Sequence, residues 1–98
     1  MKIMQFRLEF RSVDSSDIGV ECPFLPDAGQ YERHFNYIVQ DICNFDGVVS
    51  AVALNAEAVF VRTVSLDLSE FKSLLKPALQ HHFQYLRIVK IDEVEVDL

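Results

Sequence analysis

Cysteine, glycine, proline and tryptophan are scarce in this chain of 98 residues: two, three, three and none. Two cysteines, Cys22 and Cys43, cannot build a disulfide framework, and their spacing makes no Cys-x-x-Cys pair to seat a metal. Three glycines, Gly19, Gly29 and Gly47, are too few and too scattered for a phosphate-cradling loop or a dinucleotide fingerprint. No apolar run approaches the roughly 20 residues that a membrane-spanning helix requires. Lys and Arg are missing between residues 12 and 32, where Asp14, Asp17, Glu21, Asp27 and Glu32 stand, and the net charge is -6. Binding to nucleic acid through phosphates would want the opposite sign. No leader pattern and no Asn-x-Ser/Thr acceptor is read, so the expectation is a cytoplasmic protein with reduced thiols and neither membrane nor nucleic-acid partners.

What is present is half hydrophobic and includes eight phenylalanines. That suffices for one domain over residues 1–98 with a single core that needs neither metal nor disulfide. Lys2 to Arg11 alternates, with Met4, Phe6, Leu8 and Phe10 on one face, which is the signature of a half-buried strand. Asp14-Ser15-Ser16-Asp17 is turn chemistry, and Ile18, Val20, Cys22 and Phe24 alternate beyond it as a second, edge-like strand weakened by Gly19 and Pro23.

Tyr31, Phe35, Ile38, Val39 and Ile42 fall at helical spacing, and this helix ends near Asn44. Gly47 turns the chain into a strand from Val48 to Leu54, and Asn55-Ala56-Glu57 returns it as another from Ala58 to Val64. The apolar residues of Phe45 to Arg62 are assigned to the core. Asp67 and Glu70 form a capping box for a second helix with Phe71, Leu74, Leu75 and Leu79 on its buried stripe. Pro77 should kink or end that helix. Gln84 to Ile91 reads as a strand, Asp92-Glu93 as a break, and Val94 to Leu98 as a further strand. The fold class is α+β: a two-layer sandwich, mainly antiparallel, with two helices on one face of the sheet. The order is ββαββα plus C-terminal strands, or, if the second strand is dropped, a ferredoxin-like βαββαβ.

For chemistry the candidate ligands are Cys22, His34, Cys43, His81 and His82. They have no metal-binding spacing, and the adjacent histidines point to different sides of any regular element. His34 and one of His81 and His82 are expected at the surface. Cys43 closes a helix at the negative end of its dipole, the wrong end for a reactive thiolate. No catalytic constellation, cofactor or metal site is expected.

Ile42-Cys43-Asn44-Phe45-Asp46-Gly47-Val48-Val49-Ser50-Ala51-Val52, then Ala58 to Thr63, then Phe71-Lys72-Ser73-Leu74-Leu75-Lys76-Pro77 together resemble the N-terminal domain of Nfu/NifU-like iron-sulfur scaffold proteins. The likeness covers about residues 35 to 83. It implies a repeated strand-strand-helix layout and an accessory role in iron-sulfur cluster assembly. That family's asparagine-proline-asparagine turn is replaced here by Asp14 to Asp17, and its cluster-binding Cys-x-x-Cys belongs to a separate domain.

The expected function is a non-enzymatic, acidic protein-interaction module. Candidate partner-binding residues are Asp14, Asp17, Glu21, Glu95 and Asp97, and homodimerisation would use the edge strand from Val94 to Leu98. Two alternatives stand beside it. One is an acidic inhibitor or immunity-type protein that blocks a basic enzyme or nucleic-acid-binding partner; the other is a thiol and histidine metal-binding protein.

Overall fold

Alternation along the first strand decides the layering. In the computed structural model, which describes residues 2–17 and 25–95, β1 (Ile3–Ser12) buries Met4, Phe6, Leu8 and Phe10 on one face. A single helical turn at Ser15–Asp17 follows, then α1 (Ala28–Cys43), β2 (Val48–Ala53), β3 (Ala58–Val64), α2 (Leu68–His81) and β4 (Leu86–Val94). The sheet runs β2-β3-β1-β4, and every neighbouring pair is antiparallel. Phe35, Ile38 and Ile42 of α1 and Phe71 and Leu75 of α2 join the buried residues of β1 and β3 in one core. Phe71 stacks on Phe6 at 5.2 Å between ring centres, and Phe35 meets Phe10 edge-on at 5.8 Å. Among the described residues no helix is long and apolar enough to cross a membrane.

The α+β sandwich with both helices on one face is as expected, and the described elements follow the βαββαβ order. β1 pairs with β3 on one side and β4 on the other, which leaves it no free side for a hairpin partner after Asp17. The second strand expected over Ile18 to Phe24 lies outside the described residues, as do Val96 to Leu98. Asp92 and Glu93 do not break the chain: they sit inside β4 opposite Arg7 and Phe6, and Val94 ends that strand rather than opening another. An outer strand keeps one side in water, so charged side chains are tolerated there, and Asp92 gains Arg7 directly across and Lys90 at 3.2 Å.

Both helices start on capping boxes. Asp27 accepts from the Gln30 amide at 2.8 Å and Asp67 from the Glu70 amide at 2.8 Å, while the Gln30 and Glu70 side chains accept in return from the cap amides. α2 runs through Pro77 without ending. The carbonyl that proline leaves unpaired is that of Ser73, an exposed residue, where water replaces the lost donor. Gly47 takes φ +92 at the turn into β2, where a Cβ would meet the Leu66 Cβ at 3.2 Å and the Val64 carbonyl oxygen at 3.3 Å.

Candidate functional site

Two strands border the sheet, and they differ in chemistry. β4 carries Arg87, Lys90, Asp92 and Glu93 and bulges opposite Glu9 and Phe10, features that discourage pairing with another chain. β2 reads Val-Val-Ser-Ala-Val-Ala, and no ionisable side chain occurs from Gly47 to Ala56. Val49 is 61% exposed and Val52 57%, with Leu54 also exposed beyond the strand end. The core assignment of Phe45 to Arg62 therefore holds for β3 and fails for much of β2. β3 lies between two strands beneath the helices, whereas β2, among the described residues, has a partner on one side only.

Hydrogen-bond alternation identifies which groups of β2 are unused. The Leu54 amide donates to the Ala58 carbonyl at 2.8 Å and the Val64 amide to that of Gly47 at 2.7 Å. Antiparallel pairs alternate between bonded and non-bonded, so Ser50 and Val52 bond to β3 while the N–H and C=O of Ala51 and Ala53 point outward. The Ala51 carbonyl is met there by the thiol of Cys43 at 3.6 Å. Cys43, Gln40 and Asn36 recur at helical spacing along α1 and are all exposed, which gives a neutral flank above the strand.

A second cluster joins α1 to the turn before β4. His34 Nδ1 lies 2.8 Å from His82 Nδ1, and His82 Nε2 lies 3.1 Å from Asp41 Oδ2. A carboxylate only accepts, so His82 carries its proton on Nε2, accepts at Nδ1, and receives the Nδ1–H of His34. No partner among the described residues takes His34 Nε2. The His34 ring stacks on Tyr85 at 3.7 Å with 3° between planes. Burial, His82 and Arg33 hold the His34 imidazole below its ordinary pKa. His82 is buried at 5% exposure, whereas His81 is exposed with its ring 6.1 Å from that of His82, so the adjacent histidines do not act as a pair. His34 is half-buried in this chain of bonds instead of lying free on the surface. Among the described residues no group of three or more His, Cys, Asp or Glu side chains converges on a metal position.

Of the acidic candidates, the described ones, Asp14, Asp17 and Glu95, do not share one patch. Asp14 accepts from the amide and hydroxyl of Ser16, and Asp17 is held by Arg11 at 2.7 Å, which drives its carboxyl well below the usual range. Both follow the Ser12 end of β1, which pairs with Leu86, whereas Glu95 follows Val94, which pairs with Gln5. Those ends are roughly 20 Å apart along the strands at about 3.3 Å per residue. Glu21, Asp97 and Cys22 lie outside the described residues. A cleft of about 760 Å³ between α1 and the β2–β3 turn is bordered by Tyr31, Glu32, Asn36 and Asn55. Burial and Glu57 push Tyr31 up to about 12, so it stays a neutral donor to the Ala56 carbonyl at 2.8 Å.

Comparison with protein-family models, curated proteins and solved structures gave no match to this chain.

Proposed function

We propose that this chain is a non-enzymatic protein-interaction module that works by strand addition at β2. The observation that carries the reading is the contrast between the two borders of the described sheet: both expose valine, Val89 on β4 and Val49 and Val52 on β2, but β4 carries Arg87, Lys90, Asp92 and Glu93 while β2 is uncharged and turns groups of Ala51 and Ala53 outward. Main-chain bonds to such an edge supply affinity, and the alternate side chains supply selectivity. Titration of ¹⁵N-labelled protein with an acetylated Val-Thr-Val-Thr-Val-Thr peptide tests it. Amide shifts and slowed exchange confined to β2 are expected, with their loss in Val52→Lys. Shifts centred elsewhere, or none at a protein concentration where the chain is monomeric, would remove the basis for the reading. Its narrower form, an accessory in iron-sulfur cluster assembly, draws on the resemblance over residues 35 to 83. Binding of a cluster-scaffold protein that the Val52→Lys change abolishes would support that form.

A further inference from the structure

We infer that the strand added at β2 comes from a second copy of this chain, paired antiparallel about a two-fold axis at Ala51. The inference rests on the strand-addition reading and names its partner. With the axis at Ala51, that residue faces its own counterpart, Val49 faces Ala53 of the other copy, and Val52 lies beside Ser50. The outward N–H and C=O of Ala51 then meet those of the other copy's Ala51, as an isologous interface demands, and the outward groups of Ala53 face Val49.

Charge favours this seam over any other self-contact. Each copy carries -6, so most of its faces repel their counterparts, and a two-fold contact places every charge at its centre opposite itself. From Gly47 to Ala56 there is nothing to repel, and along the α1 flank above Asn36, Gln40 and Cys43 are uncharged, with Glu32 standing one turn beyond them at the far end. The small side chains of Ala51 and Ala53 let the two α1 helices approach across the seam.

Topology gives the third argument. Joining four strands from each copy through β2 makes a continuous sheet that ends in β4 on both sides. Both unprotected borders disappear, and only the charged, bulged ones face water. A seam of six-residue strands falls at the small end of specific interfaces, below roughly 1,200 Å², which corresponds to a dimer that forms at micromolar or higher protein concentration.

Sedimentation velocity between about 1 and 500 µM covers that regime. Unaltered protein should pass from monomer to dimer, and Val52→Lys, which sets two like charges near each other across the seam, should weaken the dimer by about tenfold or more with an unchanged far-ultraviolet spectrum. Cross-linking locates the axis. In a Cys22→Ser background, copper-phenanthroline oxidation should join Cys43 of the two copies about tenfold faster than a cysteine placed by Lys72→Cys on α2 in the same background with Cys43→Ser, because proximity and not collision sets the rate. A monomer at every concentration, or equal cross-linking at the two positions, overturns the second copy. If the protein stays monomeric while Ala51 and Ala53 respond to the probe peptide, strand addition stands and the second copy alone fails.

Discussion

Replacing His82 with alanine should cost this domain far more than replacing its neighbour His81. The His82 side chain is 6% exposed and makes two hydrogen bonds, to His34 Nδ1 at 2.8 Å and to Asp41 Oδ2 at 3.1 Å. The bond to His34 is the more sheltered and is worth about 1 kcal/mol, whereas that to Asp41, whose side chain is 46% exposed, is worth about half as much because water replaces the lost donor. Loss of a buried ring adds about 1 kcal/mol for the space left between α1 and the turn before β4. The sum is about 2–3 kcal/mol, or roughly 10–20 °C in Tm for a domain of this size.

His81 is exposed, so His81→Ala should stay within about 0.5 kcal/mol of the unaltered protein. Thermal unfolding followed by circular dichroism near pH 8 makes the comparison. His82→Phe keeps the ring and removes both bonds, so it should recover the packing part and lose about 1–2 kcal/mol. Equal Tm values for His82→Ala and His81→Ala would refute the assignment of a stabilising chain from His34 to Asp41.

His34 supplies a pH prediction. Its folded pKa lies below the ordinary value, held there by burial, by His82 and by Arg33, so the unfolded chain binds the proton more readily. Stability should therefore be full above about pH 6.5, decline as pH falls toward the folded pKa, and level off below it. Urea unfolding at a series of pH values should show this slope, and His34→Gln should flatten it. Gly47→Ala adds a Cβ at φ +92 against Leu66 and the Val64 carbonyl, and should lower the urea midpoint by the equivalent of about 1–2 kcal/mol. Asp67→Ala removes the acceptor for the Glu70 amide and should cost about 1 kcal/mol, while Asp67→Asn, which can still cap, should recover most of it in the same assay.

Local signals were legible wherever a short window contained both the cause and the effect. The alternation of β1, the capping box at Asp67 and the turn at Gly47 each involve neighbours in sequence, and each element appears where its pattern places it. Strand partners are a different matter. β1 bonds to β3 and β4, 49–61 and 74–89 residues away, and no local pattern distinguishes them from a nearby hairpin strand. Asp92-Glu93 read as a break because charges usually mark turns, yet a border strand accommodates them. The histidine chain spans 48 residues, and its sequence trace is faint: His34, Tyr37 and Asp41 recur at helical spacing on a stripe beside the apolar one. The β2 valines misled for the opposite reason, since composition reports the tendency to form a strand and not which face a side chain takes: Val52 pairs with Phe60, on the face away from the helices.

The same contrast bears on how β2 would select its partner. A strand of Val, Ser and Ala has little in its own side chains to fix register, because a slip by two residues exchanges similar groups on the same face. Specificity at such an edge must come from what surrounds it. Here that means the bulge between Val48 and Ser50, which limits the regular ladder at one end, and the α1 flank, whose Cys43 already reaches the Ala51 carbonyl. Asn36 and Gln40 extend this flank toward the N-terminal end of α1, and a slip of two residues would carry their counterparts about 6.6 Å along the seam. In the proposed β2 pairing, register would then be set by the helix above the strand. Changes at Gln40 should alter which residues cross-link more than whether the strands associate.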